Sequence, residues 1–227
     1  MKKKVASPSL HFTIYEQVFP KTLTKADRRK IQILESAIQT YTTLGIEYVS
    51  YEDIARAAGI SRPLVQHHFP DKKELFISVV KLIRAQFQEL AVEGLSKQSE
   101  PVGQLKEYIR ATFYWFEKWP AHAHVWLYFF YLCPLDPELK RLHTELTQVG
   151  KERIVAILKM GAASGVFSQG DFTTKAQHIQ RVITGTLVEL KTEQGSGSLE
   201  QVREDVVSLI LQWVGAKPAK KTSLTKD

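Results

Sequence analysis

Residues 50–75, S-Y-E-D-I-A-R-A-A-G-I-S-R-P-L-V-Q-H-H-F-P-D-K-K-E-L, leave the chain little choice of local structure. Ser50 and Asp53 have the S-x-x-D spacing of a capping box, in which two side chains satisfy orphan N–H groups at a helix start. Ile54, Ala55 and Ala58 then share one face at helical spacing. Gly59 stands where a helix ends in a left-handed residue, a conformation glycine adopts without steric penalty. Ser61 is a second N-cap, opening a helix that carries Arg62, Gln66, His67 and His68. Phe69, Pro70, Asp71 and Lys72 close that helix and cap the next. Two short helices around a glycine turn, with a third directly behind, are the outline of a helix-turn-helix, whose second helix enters the DNA major groove.

A chain of 227 residues can bury a real core as one large domain or two small ones. It has no run of about 18 apolar residues, so no membrane span is expected. No apolar core of a signal peptide follows the opening M-K-K-K, and a cytoplasmic location is expected. Cys133 is the only cysteine, which excludes a disulfide within the chain and fits a reducing compartment. The net charge of +7 is weighted to the front, where residues 1–75 hold 12 Lys/Arg against 8 Asp/Glu and the rest hold 19 against 16. That bias suits a polyanion partner bound with counterion release. The same excess would also serve as a solubility charge.

Residues 1–24 read as an N-terminal arm, partly disordered, with three lysines and an unpatterned apolar mix. A helix is expected from Thr24 or Asp27 to about Leu44, stopping at Gly45, with Ile31, Leu34, Ala37, Ile38, Tyr41 and Leu44 as one buried stripe. Arg28, Arg29 and Lys30 lie at its start, where cations oppose the helix dipole, so helix stability does not explain them. A nearby phosphate would.

On the second helix of the motif, Val65 and Phe69 should face inward. Pro63 has no N–H, so the Ser61 side chain is expected to hold the N–H of Leu64. Arg62, Leu64, Gln66, His67 and His68 remain for the groove. Arg62 could take a guanine, Gln66 an adenine, and Leu64 could pack on a thymine methyl or serve in packing.

The string L-G-I-E-Y-V-S-Y-E-D-I-A-R-A-A-G-I-S-R-P-L-V-Q-H-H-F-P-D-K-K-E-L-F closely resembles the DNA-binding domain of TetR-type transcriptional regulators, over about residues 28–80. The motif is D-I-A-x-x-A-G-I-S, then H-F, then K-x-E-L-F. The resemblance implies a DNA interface of Ser50, Ser61, Arg62, Pro63, Leu64, Gln66, His67, His68 and Lys72. In it Lys72 touches a phosphate at the start of the fourth helix, beside N–H groups that attract anions. His68 fits the aromatic or histidine phosphate contact that precedes Phe69. Two positions depart from the family pattern: Gln66 stands where a tyrosine usually touches phosphate, and Pro63 where a small residue is usual. Gln66 is therefore left between phosphate, base and neither.

Behind the motif the pattern is helical throughout. The fourth helix, about residues 71–95, should turn Leu75, Phe76, Val79, Val80, Ile83, Phe87 and Leu90 inward. Two aromatic helices follow, and a long one over residues 137–163 is capped by Asp136. Two more, over about 173–193 and 198–214, are separated by Q-G-S-G at residues 194–197. A tail closes the chain. The fold expected is all-α: residues 25–71 a helix-turn-helix domain, 72–216 a helical ligand-binding and dimerisation domain, 217–227 a disordered basic tail. The resemblance implies a homodimer through the last two helices, with Ile183, Thr184, Gly185, Leu187, Val206, Leu209, Ile210 and Trp213 at the interface. Burial of these residues within one subunit is the other reading.

A body so rich in aromatic residues could line an apolar pocket, with Tyr114, Trp115, Trp126 and Tyr128 as the candidates. No catalytic or metal-binding motif is present, and neither a metal nor a cofactor is expected. His122 and His124 cannot easily share a metal, because an H-x-H spacing on a helix turns the rings roughly 200° apart. The expectation is a sequence-specific regulator, not an enzyme. It would bind a near-palindromic operator as a homodimer and be a repressor released by a small, largely apolar or aromatic ligand. The alternative is a helical small-molecule binding or enzymatic protein whose DNA-binding head has lost specific recognition.

Overall fold

The computed structural model describes residues 23–192 and 198–216. Among them are nine helices and no strand: α1 (Lys25–Leu44), α2 (Tyr51–Ala58), α3 (Arg62–His68), α4 (Lys72–Ser96), α5 (Pro101–Lys118), α6 (Pro120–Leu132), α7 (Pro137–Ala163), α8 (Phe172–Thr192) and α9 (Leu199–Trp213). The fold is all-α, as expected. Nearly all of the N-terminal arm, the link at residues 194–197 and the basic tail lie outside the described residues.

Local chemistry sets the helix ends. The Thr24 hydroxyl accepts the Asp27 N–H at 3.1 Å, and the Asp27 carboxylate accepts the Thr24 N–H at 2.9 Å. Ser50 and Asp53 repeat that box at α2. These bonds to the serine and threonine caps hold both carboxyls below their ordinary range. Asp136 starts α7 by accepting the N–H groups of Glu138 and Leu139. Gly59 ends α2 at φ 63°, the left-handed conformation expected of it.

The described residues fall into two compact units, one running up to Glu93 together with Tyr114–Val149, the other Gly94–Phe113 together with the residues from Gly150 on. In the first unit α1 packs against both α2 and α6. Ile33, Ala37 and Ile38 are fully shielded, and Leu34 and Tyr41 nearly so. Two neighbours demand a wider apolar surface than one stripe. That is why Ile33, outside the expected set, is buried, while Ile31 is only half-buried. Leu44, at the helix's last position before Gly45, is 48% exposed and is not part of the core. On α4, Leu75, Phe76, Val79, Val80, Ile83 and Phe87 turn inward as expected, and Leu90 is half-buried.

In the second unit, Leu105, Tyr108 and Ile109 of α5, Ile154, Ile157 and Leu158 of α7, and the inner faces of α8 and α9 form the core. The Arg110 guanidinium grips both carboxylate oxygens of Glu204, at 3.0 and 3.2 Å, joining α5 to α9. Buried Phe167 folds back over Gly161 so closely that a Cβ on that glycine would overlap the ring. Alanine normally improves a helix interior by up to about 1 kcal/mol over glycine. At this site overpacking outweighs it, and Gly161→Ala should lower stability by about 1–3 kcal/mol in urea unfolding.

Candidate nucleic-acid interface

The helix-turn-helix holds its second helix by one narrow face. Val65 is fully buried and Phe69 nearly so, while Arg62, Pro63, Gln66 and His67 are exposed and Leu64 and His68 half-buried. The outer face of α3 is thus polar and reachable. Ser61 is exposed and makes no capping bond through its side chain, contrary to expectation. The Leu64 N–H instead reaches the Ser61 carbonyl at 3.1 Å, a tight i→i+3 bond that satisfies it from the backbone. Ser50, by contrast, has its hydroxyl committed to the capping box and is half-buried.

Lys72 is exposed, yet its Nζ donates to the Val49 carbonyl at 2.9 Å, which fixes the ammonium beside the start of α2. Asp71 accepts the Lys73 N–H at 2.9 Å, so part of the anion-attracting α4 terminus is already used. Lys73 turns away to bridge Asp136 and Glu138 at 2.7 and 2.8 Å. Near the far end of α3, the His67 and His68 rings meet edge-on at 5.4 Å. Burial pushes the His68 pKa down, and the charges of His67, Lys30 and Arg29 push it the same way. The basic start of α1 therefore lies close to the end of α3. Sequence reading missed Gln32, whose Nε2 donates to the Ala58 carbonyl at 2.7 Å. Nothing in its surroundings along the chain marks it.

Residues 33–79 match the family model for bacterial regulatory proteins, tetR family. That stretch, the helix-turn-helix and the start of α4, is similar to the tetR-family DNA-binding domain. It is 27% identical over 123 residues to the HTH-type transcriptional regulator BetI of Rhizobium meliloti, covering 54% of this chain and 60% of that one. To the HTH-type transcriptional regulator AcrR of Shigella flexneri it is 32% identical over 88 residues, covering 38% and 41%. The matches thus span less than two thirds of these tetR-family relatives. A Saccharomonospora viridis protein described as a transcriptional regulator, crystallised with choline, superposes with a TM-score of 0.74 over 81% of this chain and 95% of its own, at 21% identity. That likeness carries the fold.

Within the first unit, α6 is joined to the helix-turn-helix by polar groups as well as rings. Glu35 of α1 accepts from Gln86 Nε2 at 2.7 Å and lies 3.6 Å from His122 Nε2. His122 is buried, and both its Nε2 and the Gln86 Oε1 are shielded without a hydrogen-bond partner. Tyr128 donates to Glu47 at 2.9 Å, and its pKa is pushed up to about 12 by burial first and that carboxylate second. Phe76 meets Tyr41, Tyr128 and Phe129 in ring contacts at 6.1–6.5 Å. Glu35 had a signal in the sequence: it stands four residues after Ile31 and three before Ile38, a charge at the edge of an apolar stripe. His124 is exposed, on the other side of α6 from His122.

The four aromatic candidates differ in setting. Trp115 is buried against Phe87 at 5.6 Å, with its indole N–H shielded and unpartnered. Trp126 is half-buried between Phe129 and Phe130, each at 5.5 Å. Tyr128 faces Glu47, and Tyr114 is 46% exposed, which takes it out of any enclosed lining. Of the expected dimer residues, Ile183, Leu187, Val206 and Ile210 are buried within the chain itself. They close α8 on α9, so the expectation that all eight meet a second subunit is corrected for these four. Thr184 is half-buried and Gly185 exposed, while Leu209 and Trp213 are 54% and 45% exposed.

Burial is the larger influence on His122 and holds its pKa below the usual 6.5, with Glu35 opposing. The folded chain thus keeps a neutral ring at neutral pH, and below about pH 6.5 the unfolded chain takes the proton first. The stability this supplies is full above that value and lost as the pH falls. His122→Gln should remove part of the drop in thermal midpoint between neutral pH and about pH 5. An identical drop in both proteins would contradict this reading.

Proposed function

We propose that the chain is a homodimeric, sequence-specific transcriptional regulator, a repressor released from a near-palindromic operator by a small, largely apolar or aromatic ligand. The carrying observation is the exposed polar face of α3, held from behind by Val65 and Phe69. Residues 25–71 act as the reading head and 72–216 as the ligand-binding and dimerisation body. Arg62 takes a guanine edge, Gln66 a base or phosphate, and Leu64 and Pro63 pack against the groove. Ser61, His67, His68 and Lys72 contact phosphates, with Ser50 set behind them as a helix cap. The uncommitted Ser61 hydroxyl and the fixed Lys72 ammonium support those roles.

The exposed part of α8 and α9, Thr184, Gly185, Leu209 and Trp213, meets the second subunit. The ligand sits against Trp115, Trp126 and Tyr128, where the unpartnered indole N–H of Trp115 offers a donor. A structural neighbour's choline complex supports a small-molecule site in a body of this fold. Release is a coupling between ligand and operator binding. It runs through α4, which carries Gln86, and equally through α6, whose His122 and Tyr128 meet Glu35 and Glu47.

Binding to an operator selected from a random duplex library, followed across salt concentrations, tests the head. Tight specific binding with a steep salt slope is expected. Lys72→Ala should weaken all sequences alike and lower the slope by about 1, while Arg62→Ala relaxes specificity at one position. Weak, sequence-blind binding by the parent protein would instead favour a small-molecule binding protein with a silent head. A monomeric mass at micromolar concentration would sink the dimer.

A further inference from the structure

Arg29 Nη1 donates to Gln32 Oε1 at 2.7 Å, and the same amide passes the contact on, Gln32 Nε2 donating to the Ala58 carbonyl at 2.7 Å. Ala58 is the last residue of α2, directly before the Gly59 turn, and a carbonyl there lacks an intrahelical partner. The amide is thus used at both ends: it holds Arg29 three residues back along α1 and itself reaches the turn that ends α2. Arg29 spends one of its five donors on this bond, and it opposes the α1 dipole, so the helix gains little from it.

We propose that Arg29 is a DNA phosphate contact and that Gln32 is the positioning residue that holds its guanidinium against the turn. The inference rests on the head being DNA-binding. Lys72 is tethered at the other end of α2 by a direct bond to the Val49 carbonyl that precedes the Ser50 cap. The two tethered cations therefore mark opposite ends of the helix that precedes the reading helix. Those ends lie one eight-residue helix apart, roughly 12 Å, comparable with the ~12 Å width of the major groove. A guanidinium already held in place loses less freedom on meeting a phosphate, and phosphate contacts set the register in which α3 meets the bases.

A double-mutant cycle tests the relay. The full-length protein, Arg29→Ala, Gln32→Ala and the double variant are titrated with the library-selected operator and with a scrambled duplex, across salt. Arg29→Ala should weaken both duplexes by about tenfold at low salt and lower the salt slope by about 1. Gln32→Ala should weaken binding several-fold when Arg29 is present and change nothing once Arg29 is gone. An unchanged slope in Arg29→Ala overturns the phosphate contact while leaving the DNA reading intact. Equal weakening by Gln32→Ala in both backgrounds makes Gln32 a turn brace and overturns the positioning role. A parent without specific binding overturns the inference and the reading together.

Discussion

The first unit depends on α1 being gripped on two faces at once. One face seats α2, and through α2 the short α3; the other meets α6. Ile33, Ala37 and Ile38 have no exposed surface left. A seven-residue helix such as α3 is too short to be stable in isolation, since a helix nucleus is costly and needs tertiary packing to hold it. Its orientation is inherited from Val65 and Phe69, and so from the α1 and α2 scaffold beneath them. Because α1 also answers to α6, a shift of α6 cannot leave the reading helix wholly undisturbed.

That shared helix carries polar groups where an apolar seam would be simpler. Glu35 is shared between Gln86 and the neighbourhood of His122, and two further polar atoms there are shielded without partners. An unmet buried polar group costs on the order of 1–3 kcal/mol, so such a seam is held less firmly than hydrocarbon would hold it. The second link, Tyr128 to Glu47, lies nearer the surface and joins α6 to the turn after α1.

Much of this was legible along the chain because the relevant forces are local. The capping boxes at Thr24 and Ser50, the left-handed Gly59 and the Asp136 cap each involve residues within a few positions of one another. The inward residues of α4 followed from helical spacing for the same reason. Where sequence reading went astray, a distant neighbour had decided the matter. Leu44 has the right spacing for the stripe but is half-exposed at the helix's last position, and Ile33, four before Ala37 but outside the expected set, is buried where α1 meets two neighbours. Ile183, Leu187, Val206 and Ile210 form apolar stripes that would serve a subunit partner or an intrachain one equally well. Periodicity cannot tell the two apart, and α8 and α9 pair with each other.

The sequence by itself determined the all-helical architecture, the ends of most helices, and the helix-turn-helix with the family its residues resemble. Each of these is written in short-range spacing, which survives without knowledge of the fold. Only the tertiary structure decided which polar side chains are committed and which are not. Ser61 keeps its hydroxyl because a backbone bond has already served Leu64. Lys72 is tethered to Val49, and Gln32 to Ala58, across 23 and 26 residues of chain. Hydrogen bonds over such distances depend on where helices cross, and no local pattern records a crossing.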